Sequence, residues 1–476
     1  MSSRVLLIQP PLKPEELYTR GSKATASLLP PLGLAYVAAY LKAKGHEVRV
    51  LDGIVNPLPL EEIAKIARDY DFVGITVISS YVVRVIEVIS ALKQEGVSAP
   101  VVVGGPHATA LPETLLMHGA DYAVIGEGEE TMHELVSGRK PEEIRGLKFY
   151  DGDKNLVSTG RRRLIEPLDE IPMPARELLP MHRYHTSIAR ASAEPSHSMM
   201  GSRGCLGRCT FCSRMTFGSR VRWFSIERIV EEFYLLRDRY GAKEVAVWDD
   251  DFVADPDAAV NVCEQLIRRG FDRPWSASAC IETINRELLE TMKRAGCNYI
   301  AYGVESGSQR MLDRLKKNIT KEEIREVVRT TKRLGIPIRA YFILGFPGET
   351  KAEMNATIEF ARELDVDLAS FTMFIPLPGT REYQRAQESG TFDPEYFFKM
   401  MIPEINFPDQ PVYVPEGLDA DRLMKIHQQA YNRVYLRPRV ILRKLAAGLK
   451  HPAEFLVLFK GARTLLSNML WRSGKL

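Results

Sequence analysis

Cysteine is scarce in this chain. Only six occur among 476 residues, and none precedes Cys205. Thiols spread this thinly do not form the disulfide framework of a small secreted domain, which excludes that class. The chain also lacks an apolar run of about 18 residues, so no transmembrane helix is predicted. Its first residues contain no apolar segment long enough for a secretory signal, and we therefore expect a cytoplasmic protein.

Net charge is also small, but it is unevenly distributed. The 64 Lys and Arg exceed the 61 Asp and Glu by three, while residues 433–476 carry ten basic residues and one acid. Apolar residues recur at helical spacing in this basic tail, so it is predicted either to contact an anionic membrane surface peripherally or to pack as helices on the rest of the chain. No nucleic-acid-binding module accompanies it, and no nucleic acid partner is expected.

The length predicts two or three domains. In residues 1–138 five short apolar segments alternate with segments of helical spacing. This pattern predicts an α/β domain with a doubly wound, flavodoxin-like or Rossmann, five-stranded parallel sheet. The five predicted strands are RVLLIQP, EVRVLDG, FVGITVIS, APVVVGG and YAVIG.

Ligands of such sheets bind beyond the carboxyl ends of the strands. Small residues at that edge let a large ligand approach the backbone closely. The plainer alternative is that they only form tight turns between strands and helices. The candidate binding residues at this edge are Thr76, Ser79, Gly104, Gly105, Pro106, His107, Gly126, Glu127 and Gly128.

Three further regions follow the first domain. Residues 139–195 are rich in turn-forming residues and are predicted to be a linker with a hairpin near Asp151. Residues 196–390 contain six strand–helix units, which predict a partial (β/α)6 barrel of the TIM type with its functional groups at the carboxyl ends of the strands. Residues 391–476 are predicted to be a helical C-terminal region.

Three cysteines are clustered after the first strand of this second series. Cys205, Cys209 and Cys212 have the spacing C-x3-C-x2-C. Thiolates favour iron–sulfur clusters and zinc. A [4Fe–4S] cluster normally has four cysteine ligands, so three would leave one iron open to another ligand. A zinc half-site or a chance spacing is the alternative, and Phe211 offers an aromatic wall beside the third cysteine.

Further motifs stand at the ends of the later strands. YGVESGSQ, FILGFPGET and FIPLPGT follow the cysteine loop in that order. Together with it they resemble the radical S-adenosylmethionine (SAM) superfamily. The resemblance implies that the open iron chelates SAM. It also implies that an electron from an external donor, such as flavodoxin or ferredoxin, cleaves SAM to a 5′-deoxyadenosyl radical.

The same resemblance implies roles for single residues. Asp250 is expected to meet the amino group of SAM, although these acids could instead cap the next helix. Ser278 and Glu305 are expected to contact ribose or methionine, and Gly345 and Pro347 the adenine. Relatives usually have Arg-x-Asp where this chain has Cys280 and Glu282. Cys280 is therefore either a small core residue or a chemically active thiol.

The first domain resembles the cobalamin-binding domain of the cobalamin-dependent radical SAM class. The resemblance lies in LLPPLGLAYVAAYLKAKGHEVRVLD and VVVGGPHATALPE. It implies that Pro31, Leu32 and Gly33 help to shape a surface for the corrin. The Asp-x-His-x-x-Gly signature of a histidine ligand is absent, so base-off cobalamin without a histidine ligand is expected. A domain that has lost its cofactor is the alternative.

The combined resemblance implies an enzyme that methylates an unactivated carbon and consumes two SAM. The basic tail favours a lipid, isoprenoid, tetrapyrrole or other hydrophobic natural product as the small-molecule substrate, and membrane association. Two alternatives remain open. One is a radical or oxidative cyclase like the anaerobic Mg-protoporphyrin ester cyclases. The other is a cobalamin-binding sensor or scaffold, which would not need Cys205, Cys209 and Cys212.

Overall fold

The computed structural model describes residues 2–12, 27–186, 191–389 and 411–442, together with Phe392 and Phe397. These residues form two large sheets, one from each half of the chain. None of the helices in the described ranges is both long and apolar enough to cross a bilayer. Most of the basic tail, from residue 443 onward, lies outside the described residues. The predicted membrane contact concerns this tail and therefore also falls on residues that the structure does not describe.

The first sheet has seven strands. They are β1 (Arg4–Gln9), β2 (Glu47–Asp52), β3 (Phe72–Thr76), β4 (Val101–Gly104), β5 (Tyr122–Val124), β6 (Leu147–Tyr150) and β7 (Leu156–Ser158). Their order is β2-β1-β3-β4-β5-β6-β7. The five predicted strands are present and parallel, and the hairpin β6–β7 adds two antiparallel strands beside β5.

In the described part of this half, six helices connect and cover these strands. They are α1 (Leu32–Ala43), α2 (Leu60–Ala67), α3 (Val82–Gln94), α4 (Pro106–Ala110), α5 (Pro112–Leu116) and α6 (Glu129–Val136). Alternate residues of β1 enter different cores. Leu6 and Ile8 pack in one cluster, and Val5 and Leu7 pack in the other. Burial on both faces explains why the strand is a continuous apolar run.

The second sheet has six strands, all parallel. They are β8 (Ser196–Met199), β11 (Glu244–Val247), β12 (Trp275–Ala279), β13 (Cys297–Glu305), β14 (Ile338–Leu344) and β15 (Leu368–Met373). Their order follows the sequence, with β8 and β15 at the edges. A short antiparallel pair, β9 (Ser202–Arg203) and β10 (Arg222–Trp223), frames the cysteine loop.

The helices of this half are α7 (Ile226–Asp238), α8 (Pro256–Arg268), α9 (Arg286–Arg294), α10 (Gln309–Arg314), α11 (Lys321–Arg333), α12 (Lys351–Leu364) and α13 (Arg381–Glu388). Two of them begin with a complete capping box, at Thr320 with Glu323 and at Thr350 with Glu353. Such a box satisfies backbone N–H groups that have no partner within the helix, which fixes where each helix starts.

The segment between the two sheets is packed against both of them. The buried Arg176 donates a hydrogen bond to the Ser198 oxygen at 2.8 Å and pairs with Glu232. The neighbouring Ala175 donates its N–H to the Ala35 oxygen at 3.0 Å. These contacts attach the segment to α1 and to β8 at once.

The last described helix, α14 (Ala420–Tyr435), covers the edge of the second sheet. Its residues Leu423 and Val434 are buried in the core of that half. Tyr435 donates its hydroxyl proton to the Ala369 oxygen of β15 at 2.7 Å. Helix α14 therefore satisfies backbone groups of an edge strand that would otherwise be unpaired.

Candidate functional site

The cysteine loop connects β9 to β10 and requires a glycine at its start. Gly204 has a φ of +96°, and a Cβ there would lie 2.3 Å from the Arg220 oxygen. Only glycine fits so close a backbone approach in this conformation. The loop therefore returns tightly on itself immediately before Cys205.

The cysteine sulfurs lie against this backbone. The Gly207 N–H donates to the Cys205 Sγ at 3.3 Å, and a Cβ on Gly207 would lie 3.8 Å from the Cys209 Sγ. Burial raises the pKa of the Cys209 thiol, and it raises the pKa of the Cys212 thiol to about 12. The protein alone does not favour these two thiolates. A bound cationic metal would, because metal ligation drives deprotonation of such thiols.

Three contacts hold the loop on the second half of the molecule. The Thr210 N–H donates to the Leu315 oxygen at 3.0 Å, and its hydroxyl donates to Glu382 at 2.8 Å. The Phe211 ring packs against Phe346, with ring centroids 5.5 Å apart. Phe211 thus anchors the loop in an apolar cluster, a role that its position before Cys212 did not indicate.

The three acids after β11 have different surroundings. Asp249 is buried and accepts hydrogen bonds from the Gly201 N–H at 2.7 Å and the Ser202 hydroxyl at 2.6 Å. Asp251 is also buried and accepts the Cys280 N–H at 2.9 Å. Asp250 lines the large cavity described below. It is the acid of the three best placed to meet a ligand there.

Cys280 lies beside the first cysteine of the loop. Its Sγ, the Cys205 Sγ and a carboxylate oxygen of Asp251 are all within 4.8 Å of one another. The nearby Cys280 thiol is the main reason that the pKa of Cys205 is lowered to about 7. Cys263 and Cys297 are both buried among apolar residues of the core.

Glu305 ends β13 in an unusual conformation. Its φ is +67°, and the pairing of β13 with β14 shifts register at this point. The buried Lys317 approaches Glu305, with Nζ 3.9 Å from Oε1. Burial by itself lowers the pKa of Lys317, but attraction to Glu305 and to other nearby acidic groups together outweighs it and raises that pKa. Bulges and positive φ values at non-glycine residues cluster at functional sites.

A second turn follows β14. Glu349 Oε2 accepts the N–H groups of Gly345 at 2.7 Å and Phe346 at 3.0 Å, and burial raises the pKa of Glu349 to about 7. Pro347 is buried within the same turn. Glu349 therefore shapes the turn in which the two predicted adenine contacts, Gly345 and Pro347, lie.

A cavity of about 480 Å³ lies between the first sheet and the cysteine loop. Beyond the first domain, its wall includes Ser213 and Arg214, directly after Cys212. The predicted residues that line it are Leu32, Gly33, Thr76, Gly104, Gly105, Pro106, Gly126, Glu127, Gly128 and Asp250. The predicted residues outside its lining are Pro31, Ser79, His107, Cys205, Cys209, Phe211, Cys212, Ser278, Glu305, Gly345 and Pro347.

Glycines shape the wall formed by the first sheet. Gly105 has a φ of +100°, and a Cβ there would lie 3.0 Å from the Val77 oxygen. The cavity surface is thus partly bare backbone, which suits a large planar ligand. Together the glycine edge and the apolar Leu32 fit the corrin implied by the sequence.

His107 is fully buried behind this wall. Its Nδ1 lies 3.0 Å from the Ser79 hydroxyl, and burial lowers its pKa to about 4. Among the described residues that line the cavity, none is a histidine. His107 and Ser79 therefore lie in the layer beneath the cavity lining and do not face the cavity.

The carboxylate of Glu127 is occupied by arginines of the cysteine-loop strands. It accepts hydrogen bonds from Arg203 at 2.8 Å and from Arg222 at 3.0 Å, and Arg203 also binds Glu129 at 2.6 Å. The Ile165 N–H also donates a hydrogen bond to the Glu127 carboxylate, at 2.8 Å. All four charged groups are buried. Glu127 thus contributes to the cavity wall, while its charge links the two domains.

Three other residues were not indicated by the sequence motifs. Trp248 is 45% exposed and lines the cavity, as does Phe217. Lys317 lies beside Glu305. Trp248 directly precedes the three acids at the end of β11. Its position beside this predicted motif is a sequence signal from which it could have been identified. Phe217 and Lys317 carry no comparable signal, because only the fold brings them to the site.

Two family models match the chain. The B12 binding domain matches residues 23–136, and the radical SAM superfamily matches residues 199–361. These domains imply cobalamin in the first half, and a [4Fe–4S] cluster with SAM in the second. The boundaries enclose the glycine edge and the cysteine loop, respectively.

The chain is also similar to several named proteins. It is 35% identical to an uncharacterised methyltransferase of Pyrococcus horikoshii, over 93% of this chain and 94% of the relative. It is 30% identical to the cytidylyl-2-hydroxyethylphosphonate methyltransferase of Streptomyces wedmorensis, over 77% of this chain and 79% of the relative. It is 27% identical to the anaerobic magnesium-protoporphyrin IX monomethyl ester cyclase of Rubrivivax gelatinosus, over 91% of this chain and 77% of the relative.

The fold is similar to that of a radical SAM methyltransferase, TsrM, from Kitasatospora setae, whose structure contains cobalamin and a [4Fe–4S] cluster. The TM-score is 0.66 with 20% identity, over 82% of this chain and 75% of that chain. At this level of identity the likeness concerns the fold. The α/β class predicted from the sequence is confirmed.

Proposed function

The chain belongs to the family of cobalamin-binding radical SAM enzymes, and we propose that it is a methyltransferase that acts on an unactivated carbon. The main support is the cavity that both domains line. The glycine edge of the first sheet forms one of its walls, and residues directly after Cys212 form another. A methyl group held at one wall would thus lie near a radical made at the other.

We propose that Cys205, Cys209 and Cys212 hold a [4Fe–4S] cluster. When bound, this group supplies the electron that cleaves SAM. Asp250, at the cavity wall, would accept a hydrogen bond from the SAM amino group. The buried Lys317 would attract the SAM carboxylate, because Glu305 is its only salt-bridge partner among the described residues and lies 3.9 Å away. The electron would come from an external donor such as flavodoxin or ferredoxin.

We propose that cobalamin binds base-off against Leu32, Gly33, Gly104 and Gly105. In that state it would have no histidine ligand, since His107 is buried behind the wall and hydrogen-bonded to Ser79. The exposed indole of Trp248 would contact the corrin from the side of the second domain. The absorbance spectrum of the bound, reduced cofactor distinguishes base-off from base-on cobalamin.

The substrate is proposed to be a hydrophobic small molecule. One relative is named for a magnesium-protoporphyrin ester, which favours this class, whereas another is named for a cytidylyl phosphonate. The basic, apolar tail after Leu442 would bring such a substrate from a membrane surface. A test therefore has to offer both a lipid fraction and a polar fraction of a cell extract.

The activity test uses protein purified without oxygen and reconstituted with iron, sulfide and cobalamin. Reductant, methyl-labelled SAM and each extract are added, and S-adenosylhomocysteine and 5′-deoxyadenosine are quantified. Formation of both products, with label in an extracted molecule, is expected. If 5′-deoxyadenosine forms without S-adenosylhomocysteine or label, methyl transfer is wrong and the cyclase alternative replaces it. Label in the polar fraction alone would contradict the hydrophobic substrate.

Membrane contact needs a separate test. A chain shortened after Leu442 keeps α14, whose buried Leu423 and Val434 belong to the core. We expect the full chain to sediment with anionic liposomes and the shortened chain to remain in solution. Equal sedimentation of the two would contradict a membrane role for the tail.

A further inference from the structure

We propose that Arg339, on strand β14, binds an acidic group of the substrate, a carboxylate or a phosphate, through one side of its guanidinium. The substrate would then be an amphiphile, with a hydrophobic body and one acidic end. That the anion belongs to a substrate rests on the proposed function. The anion site itself depends on neither methyl transfer nor the identity of the cofactors.

Arg339 differs from the other buried arginines. Four arginines are buried in the part of the chain that the structure describes, and three of them, Arg176, Arg203 and Arg222, pair with buried glutamates. Arg339 is 5% exposed, yet within the described residues it forms no ion pair. A guanidinium stays charged in proteins, and a buried charge without a counter-charge is costly. The position therefore calls for an anion that the described residues do not supply.

The side of the guanidinium that carries Nε and Nη2 has no partner among the described residues. Nη1 donates long hydrogen bonds to the hydroxyls of Tyr299 at 3.3 Å and Tyr341 at 3.4 Å. Nε is buried without a hydrogen-bond partner, and Nη2 donates to none of the residues that the structure describes. Two parallel N–H groups of this kind fit the two oxygens of a carboxylate or a phosphate. The side of the guanidinium that suits an oxyanion is therefore available.

The two tyrosines do not replace a counter-charge. Their ring centroids lie 5.4 Å (Tyr299) and 5.9 Å (Tyr341) from the Cζ of Arg339. An aromatic ring attracts a cation but carries no net charge. These contacts therefore orient the guanidinium and leave its charge uncompensated.

Arg339 lies on the face of the second sheet that is turned away from the helices. Its neighbours in β14, Ile338 and Ala340, pack in the core that the sheet shares with those helices. Side chains alternate along a strand, so Arg339 lies on the opposite face. Tyr341 lies on the same face and is exposed. A ligand can therefore approach this face beside Arg339.

Strand pairing aligns Arg339 with the cavity. Arg339 is paired with Ala301 of β13, and Ala301 is paired with Ser278 of β12. The residues directly before Ser278 and Trp248 are paired as well, so Trp248 continues this row beyond β12. Trp248 lines the cavity. Three strand spacings of about 4.8 Å separate the two ends of the row, which places the acidic group of the substrate roughly 14 Å from the indole.

The first test measures the anion site in the full-length protein, reconstituted with iron, sulfide and cobalamin. Melting temperatures of wild type, Arg339→Gln and Arg286→Gln are compared in chloride, acetate and phosphate at equal pH and ionic strength. An anion that binds only the folded state stabilises it. We expect acetate or phosphate to raise the melting temperature of the wild type above its value in chloride, and Arg339→Gln to lose this rise.

Arg286→Gln is the matched control, because Arg286 belongs to an exposed ion pair, and it should respond as the wild type does. The anion that gives the larger rise identifies the acidic group. Equal rises in wild type and Arg339→Gln, or no rise in the wild type, would overturn the proposal.

A second measurement separates binding from a structural role. Arg339→Met keeps an unbranched apolar stem and removes the charge. Replacing buried charged groups with apolar side chains is often neutral or stabilising. We therefore expect the urea midpoint of Arg339→Met in chloride to equal or exceed that of the wild type. A clearly lower midpoint would show that Arg339 is a structural anchor and would also overturn the proposal.

A third measurement links the anion to the substrate. In the assay with labelled SAM and lipid extract, the amount of extract that gives half-maximal label transfer should rise about tenfold or more in Arg339→Gln, as expected for the loss of a charge-assisted hydrogen bond. Arg339→Lys should lie between the two, because it keeps the charge but not the paired N–H groups.

Binding of SAM should be the same in wild type and Arg339→Gln. A weaker affinity for SAM in the variant would show that Arg339 binds the SAM carboxylate, and this would overturn its assignment to the substrate. If the wild type transfers no label, the proposed methyl transfer is wrong, and the melting temperatures alone decide the anion site.

Discussion

A carboxylate oxygen of Glu127 lies 2.8 Å from the guanidinium of Arg203, and both side chains are buried. Glu127 belongs to the glycine-rich edge that lines the cavity, and Arg203 stands two residues before Cys205. The contact therefore joins the wall of the proposed cobalamin site directly to the start of the cysteine loop. Each domain alone would lack the partner of one of these charges.

Glu127→Gln should destabilise the protein strongly. The change removes the negative charge that Arg203 and Arg222 share, while both guanidinium groups stay buried. Breaking a buried ion pair in this way lowers the free energy of unfolding by roughly 3–5 kcal/mol. The free energy of unfolding in urea measures the loss. Glu166→Gln is the matched control, because Glu166 pairs with Arg220 at the exposed surface and such pairs contribute about 1 kcal/mol or less. Equal effects of the two changes would contradict the linking role of Glu127.

Cys205→Ala, Cys209→Ala and Cys212→Ala should each abolish 5′-deoxyadenosine formation while cobalamin binding remains. Two cysteines do not hold a [4Fe–4S] cluster, whereas the cavity wall of the first domain is unchanged. Iron content, 5′-deoxyadenosine and bound cobalamin are measured on the same samples. Cys297→Ala serves as the control for loss of a thiol, since Cys297 lies in the core. Persistent 5′-deoxyadenosine would refute the cluster assignment.

Gly204→Ala should reduce cluster content without a change at any cysteine. The added Cβ would lie 2.3 Å from the Arg220 oxygen and φ is +96°, so the loop has to shift away from β10. Bound iron per chain after reconstitution measures this effect. Gly152→Ala is the control, because a Cβ there meets nothing within 4 Å. A Gly204→Ala protein with full iron content would show that the tight return of the loop is dispensable.

Glu349→Gln should flatten the pH dependence of stability. The folded-state pKa of Glu349 is raised from 4.5 to about 7 by burial, so the folded protein binds this proton more tightly than the unfolded chain does. The free energy of unfolding therefore falls as pH rises from 4.5 to about 7. At about 1.4 kcal/mol per pKa unit the loss is of the order of 3 kcal/mol. Urea unfolding across this range should show a smaller slope in Glu349→Gln than in the wild type, and equal slopes in the two proteins would contradict the raised pKa of Glu349.

Cobalamin should quench tryptophan fluorescence mainly through Trp248. The chain has four tryptophans, and Trp248 is 45% exposed and lines the cavity. Titration with cobalamin should give a saturable loss of emission in the wild type and a smaller one in Trp248→Phe. Trp275→Phe, which replaces a buried core tryptophan, should keep most of the loss. Equal losses in wild type and Trp248→Phe would argue against cobalamin in this cavity.

Much of the fold could be read from the chain, because its signals are local. Most of the buried strands are short apolar runs, and the five strands predicted in the first domain and the six predicted in the second are present in the structure. The hairpin near Asp151 also formed, but its pairing with β5 was not foreseen. That pairing depends on the apolar side chains of Leu147 and Phe149 completing a core whose other members are distant in sequence.

The sequence by itself determined the chemistry that is available: three thiols at cluster spacing, glycines at the carboxyl edge of a parallel sheet, and an acid after β11. Only the tertiary structure decided which of these groups meet. It turned the charge of Glu127 toward Arg203 and Arg222, buried His107 behind the wall, and brought Lys317 to Glu305 and Cys280 to Cys205. Spacing along the chain fixes which groups a loop carries, but contacts between distant residues depend on how two sheets and their connecting segment pack, and packing is a property of the whole fold.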